Sequence, residues 1–233
     1  MNYKLIVGLF FLLFLGGALW LNKPPLNTHY VKKDLILLDS EVGGQLFEEV
    51  DDRLFKKLKE HWRPQLANYC GVCSSVIVIH AIDSHSIITQ ETFFSEPVEA
   101  IVPMQTVQAI GMTLRELTAA LSVHGPQLSI ESNYSHLAGC DLFFDVLERV
   151  NEGKVYHIVN FSGDSLKGKG EGKGHFSIIA GFHKTAQKVL ILEVLDDRHY
   201  WVDVRDLYDA MMATDYDSKI ARGWVTIQGN LDA

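Results

Sequence analysis

The sequence predicts an α+β domain in which an N-terminal helical lobe packs on a C-terminal, mostly antiparallel β-sheet lobe. Three observations carry this reading. Apolar residues recur at helical spacing between Glu48 and Gly153. Apolar runs bounded by glycine and polar residues follow between Lys154 and Gly229, as strands require. A chain of 233 residues with 47% hydrophobic content is enough for one core of ordinary size, and no internal repeat or low-complexity tract divides it.

The first element is an uncharged stretch, Leu5 to Leu21, preceded by Lys4 and followed by Asn22-Lys23-Pro24-Pro25. As a helix it reaches about 25 Å, a little short of a bilayer core of about 30 Å. An anchor and a signal peptide both fit, because Gly16 and Ala18 offer small residues after an apolar core of signal length. Residues 1–22 are therefore expected to be a signal peptide or membrane anchor, 23–43 a linker and 44–228 the catalytic domain. The domain is expected to be exported, either periplasmic or membrane-anchored and facing outside the cytoplasm.

Within that domain "EEVDDRLFKKLKEHW" sets Val50, Leu54, Phe55 and Leu58 at helical spacing among charges, which predicts one amphipathic helix. Cys70 to Ile82 is apolar nearly all round and predicts a buried central helix. "TLRELTAALSVHG" opens with Thr113 as N-cap and Glu116 as its capping-box partner, and stops at Gly125. "DLFFDVLERVNEG" is a further helix ending at Asn151 and Gly153. The expected strands are "KVYHIVNFS", "GHFSIIAGFH", "KVLILEVL" and "RGWVTIQG".

Composition excludes some functions. The net charge is −8 and no block of basic residues occurs, so the footprint of a nucleic-acid binder is missing. Cys70, Cys73 and Cys140 are too few for a disulfide scaffold. "GDSLKGKG" from Gly163 imitates a phosphate-binding loop, but Gly170 stands where the magnesium-binding hydroxyl belongs and a strand pattern follows instead of a helix.

Cys70 and Cys73 admit three readings: a redox pair, half of a metal site, or a nucleophile beside a packing residue. No second ligand pair of zinc spacing accompanies them. Cys70 begins a helix, where backbone N–H groups and the helix dipole favour a thiolate, whereas Cys73 reads as a small buried residue. A thiolate nucleophile needs a base, and the base needs an orienting partner. Strand alternation puts His175, Ser177, Ile179 and His183 on one face, after the glycine-rich "GKGEGKG". Glu193 lies in the next strand on the face of Val189 and Ile191, where a carboxylate is costly unless paired, and an imidazole is the natural partner.

Taken together, "NYCGVCSS", "GKGHFSIIAGFH", "VLILEV" and "HYWVDVRDLYDAM" resemble the catalytic domain of phytochelatin synthase, the glutathione γ-glutamylcysteinyltransferase family of papain-like cysteine peptidases, over about residues 44 to 225. The resemblance implies a papain-like fold, with Cys70 as nucleophile, His175 as general base and acid, and Glu193, in place of the family's Asp, orienting the imidazole. The family's oxyanion glutamine stands six residues before the nucleophile. That place is Pro64 here, so the role passes through an altered loop to Gln65. The basic residue usual after the acid is replaced by Asp196 and Asp197.

The resemblance implies acyl transfer on glutathione or a related γ-glutamyl thiol peptide through a γ-glutamylcysteinyl thioester. Asp196-Asp197 and the net negative charge are expected to disfavour an anionic acceptor, so that hydrolysis is favoured over phytochelatin synthesis. No cofactor is required for such chemistry, and a divalent metal-thiolate of glutathione fits it as a form of the substrate. A membrane, through residues 1–22 if uncleaved, and a homodimer are the other partners the reading allows. The alternatives kept open are a papain-like peptidase or amidase on another peptide, and a redox or binding module using Cys70 and Cys73.

Overall fold

The computed structural model describes residues 34–170 and 172–229. The expected signal or anchor, residues 1–22, lies outside them. Among the described residues no helix is long and apolar enough to cross a membrane.

The fold is α+β, as the patterning implied: helices pack around a seven-stranded sheet in the order β1-β6-β5-β4-β3-β7-β2, with every neighbouring pair antiparallel. β1 (Ile36–Leu37) and β2 (Ser129–Tyr134) form its edges, and the centre is β3 (Val155–Ser162) with β4 (Gly174–His183). β5 (Lys188–Leu192), β6 (Tyr200–Asp203) and β7 (Gly223–Gln228) complete it. The sheet therefore draws its edge strands from the stretch before Lys154, where helices alone were expected, and the two lobes are less separate in sequence than expected. Part of the stretch 23–43 expected as linker is structured, because β1 pairs with β6 and the next helix begins at Glu41.

That helix, α1 (Glu41–Glu48), starts where Ser40 Oγ accepts the Gly43 N–H at 3.1 Å. Gly43 is required by contact, since a Cβ there would lie 1.9 Å from the Leu37 carbonyl oxygen. The expected single helix over 48–62 is instead two elements. The Asp51 carboxylate accepts the Arg53 N–H at 3.1 Å, a local bond that competes with helical continuation and restarts the chain as α2 (Arg53–Glu60). α2 buries Leu54 and Leu58, one turn apart, as the spacing required.

α3 (Cys70–Ile82) is the buried central helix and packs on β4. The short helices α4 (Glu96–Glu99) and α5 (Met104–Ile110) follow. α6 (Leu114–His124) carries both bonds of the Thr113–Glu116 capping box and ends at Gly125. α7 (Ser135–Glu148) kinks at Gly139, whose φ is 80°, and runs out through a 3-10 turn to Gly153 at φ 68°. α8 is the single turn Gly163–Leu166, so the imitation phosphate loop leads into strand β4 and not into a helix. α9 (Val204–Met212) packs across β3 and against α7.

One register detail corrects the sequence reading. Ile179 pairs with Ile191 but Gly181 pairs with Leu190, so Ala180 is an extra residue that bulges the strand. The bulge shifts the alternation by one, and His183 no longer shares the face of His175, Ser177 and Ile179. Its Nε2 pairs with Glu49 at 2.9 Å instead.

Candidate active site

The site is assembled where the N-terminus of α3 meets the start of β4 and the end of β5. Cys70 is the first residue of α3. Its neighbour Gly71 is buried, and a Cβ there would meet Met112 Sδ at 3.0 Å and Phe176 at 3.2 Å. The glycine thus permits the close approach of α3 to the strand bearing His175. The loop before Cys70 is tied to the opposite wall of the site: Trp62 Nε1–H donates to the Glu193 carbonyl at 2.7 Å, and the Gln65 N–H to the Val194 carbonyl at 2.7 Å. Gln90, 8% exposed, braces the same loop from below by accepting the Leu66 N–H (2.9 Å) and donating to the Pro64 carbonyl (3.0 Å). Nothing in the sequence marks Gln90 for this task, because its partners are backbone groups about 25 residues away.

His175 is held between Cys70 and Glu193. Its Nε2 lies 2.6 Å from Glu193 Oε1 and 3.1 Å from Ser177 Oγ, and the ring stands edge-on to Phe161. The nitrogen left for Cys70 is Nδ1. Burial by itself opposes a charged ring here, yet hydrogen bonds to Cys70 and Glu193 and their charges outweigh it and raise the His175 pKa well above the usual histidine range. In Glu193 burial likewise opposes the charge, and the bond from His175 together with the Leu195 and Val194 N–H groups outweighs it, so the carboxyl is held below its ordinary range. The arrangement is an imidazole clamped against a carboxylate that favours its protonated form, with a sulfur as its other partner.

Glu193 sits just past the end of β5, and its longer side chain folds back on its own backbone. Oε1 accepts the Val194 and Leu195 N–H groups at 2.8 and 2.9 Å, and the Ser177 hydroxyl at 3.3 Å. The Tyr200 phenol, 8% exposed, also bonds Glu193, and burial followed by that negative charge keeps it protonated. His199 accepts the Glu193 N–H on Nδ1 at 3.1 Å and reaches Asp197 through Nε2 at 3.1 Å. Burial, then the charge of Lys59, lowers the His199 pKa and favours the neutral ring that this acceptor role demands. Ser177 lies on the face the sequence singled out for His175. Tyr200 and His199 belong to β6 and the turn before it, which periodicity did not reveal.

The other residues singled out in sequence fall into place differently. Gln65 donates its Nε2 to the Ala67 carbonyl at 2.8 Å, and its Oε1 is buried without a partner, so its amide is engaged within its own loop. Cys73 is 1% exposed, and its thiol donates to the Arg63 carbonyl at 3.2 Å. Burial, with the charges of Cys70 and Glu193, pushes the Cys73 pKa up to about 12. Asp196 pairs with Arg198 at 2.5 Å and Asp197 with Lys59, so each of the acidic residues after Glu193 has its own cation. Among the described residues no group of three or more His, Cys, Asp or Glu side chains is arranged to hold a metal ion.

A sulfur at a helix start beside an imidazole that is bonded to a carboxylate is an arrangement that acyl transfer can use. Over residues 26–224, most of its length, the sequence matches the family model described as phytochelatin synthase. The chain belongs to the phytochelatin synthase family. Similar proteins include glutathione gamma-glutamylcysteinyltransferase 3 of Lotus japonicus, 26% identical over 181 residues covering 74% of this chain and 37% of that protein. Glutathione gamma-glutamylcysteinyltransferase of Schizosaccharomyces pombe is 39% identical over 59 residues, 24% of this chain and 14% of that protein. Glutathione gamma-glutamylcysteinyltransferase 1 of Triticum aestivum is 26% identical over 173 residues, 68% of this chain and 32% of that protein. Matches to such relatives thus span less than two fifths of their length.

Proposed function

We propose that this phytochelatin synthase family member is a thiol acyltransferase acting on the Cys–Gly amide of glutathione or a related γ-glutamyl thiol peptide. The observation that carries the reading is His175 bonded to Glu193 at 2.6 Å with Cys70, at the start of α3, as its other interaction partner. The Cys70 sulfur attacks the amide carbonyl and forms a thioester. As the C–N bond breaks, His175 gives its proton to the leaving glycine nitrogen. Water then attacks the thioester, its proton passing to His175, and γ-glutamylcysteine leaves as Cys70 is regenerated. Glu193 keeps the ring in the tautomer and orientation both steps need.

The oxyanion is received by the Cys70 backbone N–H at the helix start. Gln65 adds a second donor once its amide swings off the Ala67 carbonyl. Export of the domain beyond Lys23 belongs to the same proposal and rests on the apolar stretch Leu5 to Leu21.

Hydrolysis is favoured over chain extension. The acidic residues after Glu193 are each neutralised by a cation, so local repulsion is not the reason. The support is the cleft beside His175, where four leucines, Phe161 and Tyr200 stand in the walls. The cations Lys167, Lys173 and Arg198 share the lining with Asp164, Glu193 and Asp196, which leaves little net positive charge for a dianionic peptide acceptor. The redox alternative is disfavoured by the Cys73 thiol, which is buried, protonated and already bonded to Arg63. Chromatography of glutathione incubations, with and without cadmium, tests the proposal. Glycine and γ-glutamylcysteine are expected as main products, and either intact glutathione or a dominant two-unit phytochelatin overturns it.

A further inference from the structure

Beside His175 and Glu193 a cleft of about 440 Å³ opens, and Cys70 does not line it. Its apolar walls are Leu35, Leu37, Phe161, Leu166, Leu195 and the ring of Tyr200. Leu37 and Leu195 are 42% and 55% exposed, large apolar side chains left open to water at the rim of a site. The amine that takes the His175 proton must come within hydrogen-bond reach of the ring. The residue carrying that amine therefore enters the space bordering His175. Glycine has no side chain with which to fill it.

We propose that this cleft is the subsite for the leaving amine, and that it selects a C-terminal residue with an apolar side chain over glycine. The inference rests on the thioester reading above and names the class of substrate: γ-glutamylcysteinyl peptides ending in a leucine-like residue. The lining also suits the terminal carboxylate of such a residue. Lys167 and Lys173 contribute cations, while of the three lining acids Glu193 is paired with His175, Asp196 is paired with Arg198, and Asp164 accepts the Lys173 N–H at 3.2 Å. Because an amine acceptor enters by the path the leaving amine takes out, the same walls favour apolar amines in the reverse step.

The test compares γ-glutamylcysteinylglycine with γ-glutamylcysteinylleucine, using the purified protein and following γ-glutamylcysteine release. Burying a leucine side chain in a half-open cleft recovers part of its full transfer free energy, so kcat/KM is expected to be about tenfold higher for the leucine peptide. Leu195→Ser is expected to bring the ratio down toward one. A second arm needs no variant: in glutathione incubations, leucinamide should capture the acyl group in preference to glycinamide at equal concentration. Equal or greater rates for the glycine peptide and for glycinamide, with Cys70 acylated normally, overturn the inference alone. Failure of both peptides to acylate Cys70 overturns the functional reading, and the inference with it.

Discussion

Replacing Glu193 by Gln removes one charge and keeps the shape of the side chain. The amide oxygen can still accept the Val194 and Leu195 N–H groups that hold Oε1, so the fold is expected to survive. What is lost is the charge-assisted bond to His175 at 2.6 Å, formed where the two side chains are 17% and 11% exposed. Hydrogen bonds to charged groups contribute about 1.5–3 kcal/mol net, and each 1.4 kcal/mol is tenfold, so kcat/KM for glycine release should fall by about 10- to 100-fold. The pH profile supplies the sharper readout. Glu193 contributes two of the causes that raise the His175 pKa, so in the variant the alkaline limb, where His175 loses its proton, should move to lower pH.

Stability follows the same sign. A raised histidine pKa stabilises the fold fully below about pH 6.5, and the contribution is lost as pH rises through the higher folded value. The lowered Glu193 pKa stabilises above about pH 4.3 and is lost as pH falls through the folded value. The pair therefore gives most between these limits, so Glu193→Gln should lower thermal stability there and flatten its fall above about pH 6.5 and below about pH 4.3. A folded variant with turnover within threefold of the parent and an unmoved alkaline limb would refute the reasoning.

Three further outcomes are expected. Cys70→Ala should abolish acyl transfer while Cys73→Ala retains most of it, and equal loss in both, measured as glycine release, would restore the redox pair. Gly71→Val should destabilise the domain by about 1–3 kcal/mol in denaturant titration, because its branches meet Phe176 and Met112 and push α3 off β4. A reporter active only outside the cytoplasm, fused after Leu26, should be active, and a soluble cytoplasmic full-length protein would contradict export.

Much of the site was legible because its parts are local signals. The capping box of α6, the apolar run of α3 and the alternation of β3, β4, β5 and β7 each declare themselves within about ten residues. Glu193 stood out because a carboxylate in an apolar strand needs a partner. Elements held by distant contacts were not legible. β1 is two residues long and exists through its pairing with Trp201 and Tyr200, while β2 is a polar edge strand without a strong apolar face. The bulge at Ala180 left no mark in composition, and it turned His183 to the other face. The break between α1 and α2 was present in the sequence as Asp51-Asp52, but helical spacing masked the turn chemistry of those aspartates. Gln90, Tyr200 and His199 act on backbone or side chains that only tertiary structure brings near.

The central claim is that Cys70 carries the acyl group. Mass spectrometry of protein quenched during turnover with glutathione, followed by peptide mapping, tests it most directly. A γ-glutamylcysteinyl thioester is expected on the peptide containing Cys70, absent in Cys70→Ala and accumulating when hydrolysis is slowed. An adduct on Cys73 or Cys140, or glycine release with no covalent intermediate under any quench, would contradict it.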